Sequence, residues 1–366
     1  MLGVLLGVFV YVAGFSSFFT VEYSRADAEV MLAKAKSIIV PVPTLDTDTY
    51  NKKMLALAHI SIASTTTDTS TSTPKGKVLI TPLTATTSVS APKYLWPVKT
   101  LYPNVGALLP FNRIVAYYGN FYSKGMGVLG QYPEDVMLAK LQATAAEWQA
   151  ADPATPVIPA IHYIVETAQG SAGKGGKYRL QMPDSQIDKA LALAEKIHGV
   201  VFLDFQVALS NLPADLPAYV DYLKLPNVHL GIDPEFSMKT GARPGTVIGT
   251  YDATDINYAA NFLAALVKAN NLPPKILVIH RFTEDMVTHY QNIKPLPEVQ
   301  IVMDMDGWGF AAKKINTYNS VIYPEPVQFT GFKLFYKNDL LPPSTRMLTP
   351  AEILKLTPSP SYIQYQ

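Results

Sequence analysis

From residue 113 onward, short apolar runs alternate with helical stretches, and no other feature narrows the fold as much. The runs are RIVAYYG (113–119), VIPAIHYIVE (157–166), VVFLDFQ (200–206), VHLGIDPE (228–235), ILVIHRF (276–282), VQIVMDMD (299–306) and FTGFKLFY (329–336). Helical patterns lie between them, clearest over 133–152, 184–199 and 252–271. Pro133 with Glu134 and Asp135, then Asp184, then Asp252, stand where helix N-termini favour proline and acids. Gly199 is placed to end the second helix. Repeated strand–helix units imply parallel strands with right-handed crossovers. An open doubly wound sheet and a closed (β/α)8 barrel both satisfy this. The first strand is followed by no GxGxxG, and the stretch matches a TIM-type barrel of about 250 residues. The expectation is therefore an α/β chain with a (β/α)8 barrel. Seven strands are clear. The eighth is either VIY at 321–323 or missing, which would leave the barrel incomplete.

A polar residue closes almost every run, and barrel active sites are built from strand C-termini. Residues two apart on a strand share a face. Glu166 follows His162 and Ile164, Asp204 lies between Phe202 and Gln206, Asp233 pairs with Glu235, and Asp304 pairs with Asp306. If these faces line the lumen, one mouth holds Glu166, Asp204, Asp233, Glu235, Asp304 and Asp306 as candidate catalytic residues. So many acids in one cavity push each other's pKa upward, leaving one carboxyl protonated as an acid while another works as base or nucleophile. Glycoside hydrolysis uses such a pair. Glu235, at the strand tip, is the expected general acid, with Asp233 tuning it; Asp304 or Asp306, ahead of Asp204, would supply the second carboxylate. Tyr117, Tyr118, Tyr122 and Trp308 offer flat faces for sugar rings, and His162, Gln206, His280 and Lys333 offer polar contacts. For any one acid, a helix cap or an ion pair with Arg281 or Lys333 is an equally physical role.

Competing chemistries find less support. There is no cysteine, which removes thiolate metal sites and a cysteine nucleophile. The six histidines show neither HxH nor HExxH spacing, so no metal and no other cofactor is expected. The glycine-rich GSAGKGGKY (170–178) fails the phosphate-loop spacing and reads as a loop beside the mouth. No GxSxG occurs. With 30 Lys+Arg against 29 Asp+Glu, the net charge of +1 gives no electrostatic case for nucleic acid.

The first 110 residues are of another kind. No charged side chain occurs from Met1 to Val21, and about 20 apolar residues suffice to span a bilayer. Residues 1–21 are thus expected to be a transmembrane anchor or signal segment, with Ala26-Asp27-Ala28 as the cleavage site in the second case. Residues 22–110, rich in Ser, Thr and Pro and carrying SIASTTTDTSTSTPKGK, read as a flexible stalk without a packed core. The barrel domain is assigned to 111–366. This places the protein at the cell surface, anchored in the membrane by its N-terminal helix, or secreted if the segment is cleaved.

The series AYYGN, GMGVLG, FLDFQ, LGIDPEF, PGTVIGT, IHRFTEDM and GFKLFY, across residues 113–366, resembles a family of exported or surface-attached bacterial proteins with a predicted glycoside-hydrolase-like TIM barrel. That resemblance implies fold and location rather than a reaction. GIDPE is also similar to the acidic fourth strand of chitinase-like barrels, where the glutamate is the acid, although the longer DxxDxDxE pattern is incomplete here. Two functions stay open: a hydrolase of an extracellular or cell-wall glycan, and a catalytically silent surface barrel that binds glycan or a protein partner.

Overall fold

The computed structural model describes residues 44–61 and 94–366. Eight parallel strands form its centre: β1 (Arg113–Gly119), β2 (Val157–Ala168), β3 (Val200–Phe205), β4 (Val228–Ile232), β5 (Lys275–Arg281), β6 (Val299–Met305), β7 (Phe329–Leu334) and β8 (Tyr362–Tyr365). They pair in chain order, and β1 bonds both to β2 and to β8, so the sheet closes on itself. Ile114 is in register with Ile158 on one side and Tyr362 on the other. The short strand Arg179–Gln181 adds antiparallel to the end of β2. The barrel is complete. Its eighth strand is YIQY at the C-terminus, while 321–323 belongs to a π-helical turn (Tyr318–Ile322) and the residue after it. VIY reads as strand only because three apolar residues cannot reveal their period.

Alternation along the strands makes two cores. Odd-numbered positions of β1–β3, such as Val115, Ile161 and Leu203, face outward onto α2 (Glu134–Ala151), α3 (Asp184–Lys196) and α4 (Ala253–Asn270). Even-numbered ones, such as Ile114, Ala160 and Phe202, fill the lumen together with Val278 of β5. Both faces are thus buried, which is why the strands read as continuous apolar runs. Asp252 caps α4, accepting from the Thr254 amide while Asp255 reaches back to its own amide. The left-handed residue after α3 is His198 (φ 51°), one position before Gly199. Between β5 and β6 there are only short 3₁₀ turns and the two-residue strand Val287–Thr288, which pairs with Tyr251–Asp252, so the outer helical ring is irregular there.

The lumen is stoppered from below. Helix α1 (Thr47–Leu57), opened by Asp46 bonding to the Thr49 amide, buries Tyr50 and Met54 in the lumen cluster together with Leu109. Gln300, pointing into the lumen from β6, accepts from the Leu109 amide at 3.0 Å and donates to its carbonyl at 2.6 Å. Within the stretch 22–110 expected to lack a core, Tyr50, Met54 and Leu109 are thus packed into the floor, while Leu101, Tyr102 and Val105 are exposed. The sequence pattern missed this because a single short amphipathic helix has no strand alternation to betray its partner.

The membrane anchor is also corrected. Among the described residues no helix is long and apolar enough to cross a membrane, so the anchored location and the membrane partner built on that helix have no structural support. Residues 1–21, on which that expectation was placed, lie outside the described residues.

A chain beginning at Asn112 should therefore unfold at lower denaturant than the full chain, because it opens the lumen floor to water. Leu109→Ala alone should cost about 2–5 kcal/mol in urea unfolding. Equal midpoints for the full and truncated chains would show that the floor helix adds nothing.

Candidate active site

At the C-terminal end of the barrel the apolar lumen gives way to a polar layer. Tyr118 (β1), His162 (β2), Asp204 (β3), His280 (β5), Asp304 (β6), Lys333 (β7) and Gln364 (β8) are all buried there, one residue per strand. Asp233 lies just past β4 and Asp306 just past β6. Asp204 is the hub. Its Oδ1 accepts from His162 Nε2 at 3.1 Å and from His280 Nε2 at 3.2 Å, and its Oδ2 accepts from the Tyr118 hydroxyl at 2.9 Å.

The two histidines differ in what meets their far nitrogens. His162 Nδ1 faces two donors, the Tyr362 hydroxyl at 2.5 Å and Gln364 Nε2 at 3.1 Å. Its proton is therefore on Nε2, and burial holds its pKa down to about 4 despite Asp204. His280 Nδ1 faces Asp306 Oδ2 at 3.1 Å and Asp304 Oδ2 at 3.5 Å. Burial disfavours its charge, but Asp204, Asp304 and Asp306 overcome this and push it well above the usual histidine range. One ring is neutral and the other an imidazolium.

The carboxyls divide in the same way. Burial would raise Asp204, yet His280 and the hydrogen bonds from both rings hold it far below the usual carboxylate range. Burial would likewise raise Asp306, but Lys333 Nζ, at 2.9 and 3.1 Å, and His280 keep it low. Asp304 is raised by burial, and neither of its oxygens has a hydrogen-bond partner of good geometry. Burial lifts Asp233 to about 8, with Asp204, Glu235 and Asp306 adding to the effect. Its Oδ2 accepts from Gln206 Nε2 at 3.2 Å and its Oδ1 from the Glu235 amide at 3.1 Å. Glu235 sits on the 3₁₀ turn Pro234–Phe236, half-buried, and is raised by burial and by Asp306. Among the described residues its carboxylate makes no ion pair or hydrogen bond.

Four of the expected positions, Glu166, Tyr117, Tyr122 and Trp308, do not join this layer. The pairing of β2 with β3 shifts register between Ile164 and Glu166, and Glu166 turns to Arg179, at 2.6 Å, and Gln181. Arg179 is shared with Asp215 at 2.5 Å, so Glu166 belongs to a clamp on the short antiparallel strand. Tyr117 faces outward, its hydroxyl 2.9 Å from those of Thr144 and Tyr336. Tyr122 and Trp308 are exposed in the loops after β1 and β6, and Lys313 lies 4.7 Å from the Trp308 ring centroid. Arg281 binds Glu325 rather than any of these acids.

Sequence reasoning passed over Tyr362 and Gln364, which orient His162, because the eighth strand was sought elsewhere. It also missed two glycines. A Cβ on Gly231 would lie 2.4 Å from both Asp204 Oδ1 and His162 Nε2, and one on Gly331 would lie 2.4 Å from Asp304 Oδ1. Their absent side chains are the space that the carboxylates occupy. A glycine in the middle of a strand run is the available signal.

His162, Asp204 and His280 each offer an atom within 4.8 Å of the others, a spacing that a cation could use. Here those atoms are committed to one another by hydrogen bonds.

No family model matches the chain, and no curated protein does. Two solved structures are similar in fold at low identity. The cellulase Cel5C_n matches at 12% identity and TM-score 0.34 over 60% of this chain, and the chain spans 65% of that cellulase. The cellulose synthase subunit Z from Clostridioides difficile matches at 10% identity and TM-score 0.35, over 70% of this chain and 92% of that one. Likeness at this level carries no argument about activity. The class of the protein, a closed (β/α)8 barrel, rests on its strand order.

Because Asp204 is held ionised, its contribution is complete above the ordinary carboxylate range and is lost as pH falls through its depressed value. Asp204→Asn, which takes the buried charge partner from His280 and leaves that ring to lose its proton, should destabilise by about 3–5 kcal/mol near pH 7. The gap should narrow in acid. A gap independent of pH would show that Asp204 stabilises through packing alone.

Proposed function

We propose that the barrel is a glycoside hydrolase acting on a polysaccharide, with Glu235 as general acid and Asp306 as the ionised carboxylate. The observation that carries this reading is the opposed setting of those two groups. Burial and Asp306 raise Glu235, while Lys333 and His280 outweigh burial and keep Asp306 charged. Two carboxyls whose environments drive their pKa values apart are what protonation of a leaving oxygen together with stabilisation of an oxocarbenium-like centre requires. Glu235 is the group with a free carboxyl at the opening. Asp233, through its bond to the Glu235 amide, holds the turn that carries the acid. Asp204 and Asp304 lie deeper and act on the site through His280. Tyr122 and Trp308 are the exposed rings on which a sugar would stack.

The full chain should release reducing ends from at least one polysaccharide in a panel that includes cell-wall glycans. Turnover should follow a bell in pH, its acid limb set by Asp306 below the ordinary aspartate range and its alkaline limb by Glu235 above the ordinary glutamate range. Glu235→Gln should lower turnover about 10²-fold or more with binding retained. Wild-type turnover in Glu235→Gln would remove the acid assignment. Binding to a glycan that is never cleaved would favour the silent barrel, in which the saturated Asp204 and Asp306 are structural.

A further inference from the structure

We propose that His280 is a positioning residue for Asp306: an imidazolium buried between Asp204 and Asp306 that keeps the second carboxylate charged and aimed at the mouth. The inference rests on the hydrolase reading for its meaning and on geometry for its substance. His280 Nε2 lies 3.2 Å from Asp204 Oδ1 and its Nδ1 lies 3.1 Å from Asp306 Oδ2, so one ring links two carboxylates on different strands. Asp204 takes the one N–H of a neutral ring, so only the cation also faces Asp306 with positive charge, as an ion-pair contact at Nδ1 rather than a well-aligned hydrogen bond.

Every element around the ring bears on its charge. From β1, the Tyr118 ring centroid lies 5.6 Å away, with its hydroxyl given to Asp204. From β2, His162 lies 5.6 Å away and is kept neutral by the donors on its Nδ1. Asp204 comes from β3, and Asp233 and Glu235 act from beyond β4. Asp304 and Asp306 come from β6 and its end, and Lys333 from β7 neutralises Asp306 from the other side. Asp204 and Asp306 are held low while His280 is held high, and Lys333 pairs with Asp306, so opposite charges face one another across the layer. A buried site tolerates such charges only when each faces one of opposite sign. Asp204, which does not reach the opening, therefore acts on the mouth through His280.

The test has one arm that needs no substrate. In the full wild-type chain, the ¹⁵N and ¹³C resonances of the histidine rings should show one buried imidazolium and one buried neutral ring at pH 7. Assignment by His280→Gln should give the cation to position 280. In Asp204→Asn that cationic signature should vanish at neutral pH. In the second arm, on a cleaved glycan, Asp204→Asn and His280→Gln should each move the acid limb of turnover up by about 1 to 3 pH units with little change in KM. The double variant should move it no further than either single. A neutral His280 in the wild type overturns the proposal whatever the variants do. An acid limb unmoved in a folded Asp204→Asn protein does so as well. If the imidazolium is found but no glycan is cleaved, the hydrolase reading fails while the His280 assignment stands.

Discussion

A carboxylate without water must be supplied with donors, and the top of this barrel is organised by that demand. Asp204 has no solvent exposure and takes hydrogen bonds from three strands, through Tyr118, His162 and His280. Each partner is set by a further contact: His162 by Tyr362 and Gln364, His280 by Asp304 and Asp306, and Asp306 by Lys333. The chain of partners runs from one buried charge around the lumen to the mouth. Removing Asp204 from this set would leave its donors without their buried acceptor, at a cost of about 3–5 kcal/mol.

The lower lumen follows a different rule. There the volume is filled by apolar side chains, and the opening is shut by Tyr50, Met54 and Leu109, with Gln300 pairing the Leu109 backbone. A backbone amide and carbonyl brought into an apolar interior need a partner, and a single glutamine side chain supplies both halves. The floor is thus insulated from the charged layer by Phe202, Val278 and Val302, and the low dielectric of that insulation sharpens the pKa separation above it.

Much of the barrel was legible in the chain. Seven apolar runs became seven strands within one to three residues at each end, because strands buried on both faces leave a continuous apolar signature. Asp204, Asp233, Asp304, Asp306, His162, Gln206, His280 and Lys333 were expected at one end and are brought together there. The face-sharing argument failed at Glu166, where a register shift turns the chain, since a period of two predicts direction only while the strand stays regular. It failed at Tyr117 for the opposite reason, since Tyr117 and Tyr118 are adjacent and only one of them can point inward.

Composition and order of residues by themselves determined an α/β barrel with acids gathered at one mouth, because hydrophobic period and strand-end polarity are local properties. What the local pattern could not decide was which strand closes the ring, which histidine is charged and which carboxyl stays neutral. Tyr362 and Gln364 meet His162 across some two hundred residues, and Gly231 and Gly331 matter only for the oxygens that press against them. Ionisation depends on distance, burial and the sum of neighbouring charges, and the closing of the barrel sets all three.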